Sequence, residues 1–99
     1  MRVRWSARAA DQLVDAVRYE EAERAGSGAA LLGAVDDLTA LLLSLPRLLP
    51  AVPGAEPPEV RRALLRRWGY WLVYDLRGDE IVVLALWHGR RSPGGWRPR

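Results

Sequence analysis

From Arg2 to Trp5 the chain alternates arginine with Val3 and Trp5, the period-two pattern of a short, half-buried strand. Ser6 follows where a helix N-cap is wanted, its hydroxyl able to accept from a free N–H of the first turn. Behind it Ala10, Leu13, Val14 and Val17 fall at i, i+3, i+4 and i+7 on one helical face, with Asp11, Asp15, Arg18 and Glu21 on the others. Gly26 suits the C′ position closing that helix, and Ser27 suits the N-cap of the next. In the second helix Leu31, Val35, Leu38, Leu42 and Leu45 repeat at alternating spacings of four and three, a seam for packing, until Pro46 stops it. Two helices of similar length joined by Gly26-Ser27-Gly28 predict an αα-hairpin.

Residues 46–58 hold five of the seven prolines, a density that neither a helix nor a central strand survives, so a loop is expected there. Val60–Trp68, rich in Arg and Leu, reads as a strand. Tyr70–Arg77 has the aromatic and β-branched content of another. Gly78-Asp79 suits a two-residue hairpin turn, and Ile81–Trp87 is continuously apolar, as in a central strand covered on both faces. From Gly89 onward Gly, Pro and Arg predict an irregular tail. The expected fold is α+β in the order β-α-α-β-β-β: an N-terminal helical hairpin packed on a small, mainly antiparallel sheet, in one domain over residues 1–99.

Composition narrows the chemistry. Among 99 residues there is no Cys and one His, which excludes a disulfide framework or thiolate site and disfavours a His-based zinc site. The N-terminus lacks the apolar core of a signal peptide and no uninterrupted apolar run approaches 18 residues, so a soluble cytoplasmic domain without membrane or cofactor is expected. All 15 basic residues are Arg, against 12 acids. Residues 1–55 carry six Arg and seven acids, whereas residues 56–99 carry nine Arg and five acids, so the positive charge sits in the C-terminal half. That polarity suits an acidic or polyanionic partner.

No phosphate-binding glycine loop is present, and Ser6, Ser27, Ser44 and Ser92 show no nucleophile-elbow context. The basic residues stand out instead: Arg61, Arg62, Arg66 and Arg67 on one expected strand, then His88, Arg90 and Arg91 beyond the last. Period-two geometry puts Arg62 and Arg66 on one face and Arg61 and Arg67 on the other. If the two strands are close, an Arg pair converges with His88 and Arg91. Such a cluster can grip phosphate through planar guanidinium forks, or stabilise the charge of RNA cleavage while His88 moves a proton. The other reading is a solvated face paired with Glu56, Glu59, Asp75 and Asp79. Trp68, Trp71 and Trp87 read as core or sheet-face packing, whereas Trp96 must fold back over the sheet or serve a partner.

The order of elements and several residues resemble the RelE/ParE family of toxins from type II toxin–antitoxin systems, over nearly the whole chain. The likeness runs through Val3-Arg4-Trp5-Ser6, Tyr19-Glu20, Gly26, Gly28, Leu45-Pro46, Val60-Arg61-Arg62, Trp68-Gly69-Tyr70, Val73-Tyr74 and Ile81-Val82-Val83-Leu84. It ends on His88-Gly89-Arg90-Arg91-Ser92-Pro93 and Trp96, similar to the family's His-x-x-Arg-x-Pro…Trp ending. Gly69 stands where relatives often have proline, which predicts a looser turn. The resemblance implies a growth-inhibiting toxin neutralised by a cognate antitoxin, and two branches of target. ParE-like members poison DNA gyrase without chemistry of their own. RelE-like members cut messenger RNA on the ribosome, for which Arg62, Arg66, His88 and Arg91 form a partial catalytic set. With no Tyr after the last strand and no Lys, the gyrase-binding branch is favoured, the endoribonuclease and a non-toxic, partner-binding remnant being the alternatives. Arg61, Arg67, Arg90, Trp96, Leu32 and Leu43 are then expected to bind target or antitoxin, although Leu32 and Leu43 would also suit packing under the proline-rich loop.

Overall fold

A computed structural model describes residues 1–55 and 59–90. Its elements are β1 (Arg2–Trp5), α1 (Ala7–Glu23), α2 (Ser27–Ser44), β2 (Val60–Leu65), β3 (Tyr70–Arg77) and β4 (Glu80–His88). The sheet order is β1-β4-β3-β2, with β1 parallel to β4 and the other pairs antiparallel. The helical hairpin therefore carries the chain from one sheet edge to the other. The βααβββ order, the α+β class and the central place of the last strand agree with the sequence reading. One difference is in β2, which ends at Leu65, so Arg66 and Arg67 lie in the following turn and the face assignment made for them does not apply.

The main core lies between helices and sheet. Leu31, Val35 and Leu42 of α2 and Ala9 and Ala16 of α1 pack on Leu72, Tyr74, Ile81, Val83 and Leu86. The α1 face is rotated from the expected one: Ala10 and Val14 are exposed, and Ala9 and Ala16 are buried instead. Small side chains let α1 approach β4, which outweighs the larger transfer energy of a valine. Leu45, expected in the α2 seam, sits at the helix end and is exposed. Although α2 is long and apolar enough by composition to cross a membrane, its buried leucines lie on the sheet. A second, smaller cluster of Ala55, Val60, Val73 and Ala85 covers the opposite sheet face, with Trp71 and Trp87 packed beside it.

A bulge in β4 sets which side chains reach which face. Tyr74 pairs with Val83 and Val73 with Ala85, leaving Leu84 as the extra residue. One inserted residue inverts the alternation beyond it. Ile81 and Val83 face the helices before the bulge and Leu86 does so after it, while Trp87 joins Trp71 on the outer face. The start of α1 satisfies the irregular backbone. Ser6 N donates to Val83 O at 2.9 Å, Ser6 Oγ to Leu84 O at 3.3 Å, and Leu86 N to Gln12 Oε1 at 2.9 Å. Ser6 also accepts from Ala9 N at 3.1 Å as the expected N-cap.

At the hairpin the capping differs from expectation. Arg24 closes α1, and Gly26, in the left-handed region at φ 89°, precedes α2. Ser27 gives no side-chain cap; its hydroxyl instead accepts from Trp68 Nε1 at 3.3 Å. The cap is Glu21, whose carboxylate accepts from Gly26 N at 2.9 Å and Gly28 N at 3.0 Å. These backbone donors, Gly26 first, hold the Glu21 carboxyl below its ordinary range. Glu80 is held low as well, foremost by the hydrogen bond from Arg4 and further by Arg2 across the β1–β4 seam. Both carboxyls thus have a folded pKa below the unfolded value of 4.5. Their stabilisation is complete above that pH and is lost as pH falls through the lower folded values. Urea midpoints should fall between about pH 6 and pH 3, and Glu21→Gln should flatten that slope.

At Gly28 the two helices approach closely. A Cβ there would lie 2.7 Å from the Val17 carbonyl oxygen and 3.0 Å from Glu21 Cβ. Gly33, on the exposed side of the same helix, has nothing within 4 Å of such a carbon. Gly33→Ala should therefore stabilise by about 0.5–1 kcal/mol through helix propensity. Gly28→Ala should destabilise by about 1–2 kcal/mol, since the clash with backbone outweighs that gain. Paired urea titrations check both signs, and equal stabilisation would show that the helices separate freely.

Candidate functional site

The β2–β3 turn and the end of β4 build a basic surface at one end of the sheet. Gly69, at φ +79°, lets the turn close: Gly69 N donates to Leu65 O at 2.9 Å, and Gly89 N to Gly69 O at 2.8 Å. Where the missing proline predicted a looser turn, Gly69 makes a link to the strand after next. This link brings Arg66 and Arg67 to His88 and Arg90 even though β3 separates β2 from β4. They line one open cleft of about 380 Å³ with Trp68 and Trp71.

The arginines are held in different ways. Arg62 lies over the Trp71 ring at 4.3 Å and Arg67 over Trp68 at 4.8 Å, cation–π contacts on exposed arginines. Arg66 and Arg90 have no ion pair among the described residues. No carboxylate among the described residues lines the cleft. Of the expected pairings with acids, Arg61 makes one with Glu59, while Asp75 pairs with Arg77, outside the expected cluster.

Arg61, named in the expected binding set, is turned inward. Only 9% exposed, it donates to the Leu49 carbonyl and to Glu59, tethering the proline-rich segment to β2. Its parity with inward-facing Ala63 and Leu65 was the signal that separated it from Arg62. Near it the buried Tyr74 hydroxyl has its pKa raised by desolvation, an effect Arg61 partly opposes.

His88 stands between two clefts. Its ring meets Tyr70 edge-on at a 5.0 Å centroid separation, and Nδ1 accepts from Arg90 N at 3.1 Å. With Nδ1 an acceptor, the neutral ring carries its proton on Nε2. Nε2 faces Gly69, where a Cβ would sit 3.3 Å away, so glycine also keeps this nitrogen accessible. The second cleft, about 200 Å³, is lined by Gln12, Asp15, Tyr19 and Tyr70 on the α1 side. No cluster able to hold a metal ion occurs among the described residues. Of the other expected site residues, Leu32 and Leu43 are 41% and 37% exposed on α2, and Arg91 and Trp96 lie outside the described residues. This surface can bind an anionic or acidic partner over a flat basic and aromatic area. Its histidine ring is held by a backbone N–H.

A search of curated protein sequences finds no match. Among solved structures, the chain is similar to one described as the chromosomal ParDE toxin–antitoxin system from P. aeruginosa. The TM-score is 0.61 and the identity 24%, over 89% of this chain and 95% of that one, a likeness of fold. The family of the ParE toxin of the type II toxin–antitoxin system parDE matches residues 3–93, nearly the full length. The chain therefore belongs to the ParE toxin family of type II toxin–antitoxin systems.

Proposed function

We propose that this toxin arrests growth by binding DNA gyrase, without chemistry of its own, and that a cognate antitoxin neutralises it. The family match across residues 3–93 carries the reading. The basic cleft supports it. Arg67 stacks on Trp68, His88 Nδ1 is taken by the Arg90 backbone, and among the described residues no carboxylate lines the basic cleft, Asp15 lying in the other cleft that His88 borders. Exposed Leu32 and Leu43, on one stripe of α2, belong in this reading to the antitoxin's docking surface.

The purified chain should block supercoiling of relaxed plasmid by gyrase and leave ribosome-bound messages intact. His88→Ala should inhibit within about fivefold of the parent, since a single peripheral contact contributes under about 1 kcal/mol. The ribosome-dependent endoribonuclease is the second reading, favoured by His88, Arg66 and Arg90 sharing one cleft. In that case His88→Ala abolishes growth arrest and cleaved messages accumulate with the parent chain.

A further inference from the structure

β2 is an edge strand, and only its beginning is covered. Val52 N donates to Val60 O at 2.7 Å and Ala51 bridges Arg61, so the segment after α2 pairs with the first two residues of β2 and then leaves. Because Val60 turns its carbonyl outward, period two turns outward the backbone groups of Arg62 and Leu64 as well. The Ala51–Arg61 bridge sets Arg62 N–H against the Pro50 carbonyl, and beyond it no hydrogen bond among the described residues joins the Arg62 carbonyl or the N–H and carbonyl of Leu64.

A groove of about 350 Å³ runs along this open stretch, and its two walls differ chemically. On the helix side it is walled by Leu38, Leu41 and Leu48, of which Leu41 and Leu48 are 45% and 55% exposed. On the other side stand Arg62, over Trp71, and Arg66. A polypeptide laid along the edge would send successive side chains alternately to the two walls.

We infer that the Arg62–Leu64 edge takes an extended segment of a partner protein in which apolar and acidic residues alternate. Its backbone pairs with Arg62 and Leu64, its apolar side chains enter between Leu41 and Leu48, and its carboxylates meet Arg62 and Arg66. A helix cannot satisfy the outward backbone groups, and a nucleic acid strand would leave the leucine wall uncovered. Opposite walls make the order of residues, not net charge, the feature recognised. The inference rests on the reading that a partner protein covers this toxin, and it adds where and with what pattern.

The probe is a fluorescein-labelled peptide of about eight residues alternating Leu and Asp, enough to span the edge at roughly 3.3 Å per residue. Its control has the same composition with all Leu preceding all Asp. The alternating peptide should bind at least tenfold tighter by anisotropy and slow amide hydrogen exchange at Leu64. Leu64→Pro removes one outward N–H at an edge position where proline is tolerated and should weaken binding at least tenfold. Leu48→Asp alters the apolar wall with the strand backbone untouched, and should do the same if the proline variant fails to fold. Equal binding of the two peptides, unchanged exchange at Leu64, or full binding by Leu48→Asp would overturn the inference. Growth arrest by the unmodified chain is scored separately, so failure of the toxin reading and failure of the edge site are told apart.

Discussion

On the proposed gyrase-binding function, simultaneous replacement of Arg66, Arg67 and Arg90 by Glu is expected to weaken inhibition by about 100-fold while the chain stays folded. The three cations share one cleft with no carboxylate among the described residues in its lining. Exposed ion pairs contribute about 0.2–1 kcal/mol each, and reversal replaces attraction by repulsion, so three reversals lose about 3 kcal/mol, or roughly 100-fold. Folding should barely respond, because surface changes away from buried networks fall within about 0.5 kcal/mol and Arg67 forfeits only an exposed stack on Trp68. The inhibitory concentration in a supercoiling assay, read beside a thermal melt, separates the two effects. The parent's inhibition should also weaken as salt rises, because exposed charges are screened over about 10 Å at 0.1 M. Unchanged inhibition by a folded triple variant would move the target-binding surface elsewhere.

Much of the fold was legible because local and tertiary signals agreed. Ser6 caps α1 as its position indicated. Gly78, at φ +59° between paired Arg77 and Glu80, makes the two-residue turn that Gly78-Asp79 suggested. The apolar run of β4 does reflect cover on both faces. Departures came where three-dimensional spacing outweighs residue character. Periodicity favoured Val14 over Ala16 for the α1 core face, because side-chain size does not reveal that α1 lies close to β4. Glu21 was read as a polar-face residue, although it reaches five and seven residues ahead to cap the next helix. The Arg cluster was legible as a cluster but not as a site. Its assembly depends on the Gly69–Gly89 link and on the Leu84 bulge, both long-range backbone features with no periodic signature.

Leu42→Ala should lower stability by about 3 kcal/mol, whereas Leu43→Ala, one residue away, should cost under about 1 kcal/mol. Residue type, helix and neighbourhood in sequence are shared; burial is not. Leu42 is fully buried in the main core, and Leu43 is 37% exposed. Truncating Leu42 forfeits the transfer energy of its side chain and leaves a cavity that close-packed neighbours fill only in part. A domain of this size has about 5–15 kcal/mol to spare, and each kcal/mol moves its melting temperature by roughly 4–8 °C. The Leu42 variant should therefore melt about 12–24 °C below the parent, and the Leu43 variant within about 8 °C of it. Alanine's slightly better helix propensity acts equally at both positions and cancels in the comparison. Calorimetry on both variants measures the difference. Equal losses would mean that α2 does not present Leu42 to the sheet, and the packing that positions β2 and its arginines would have to be redrawn.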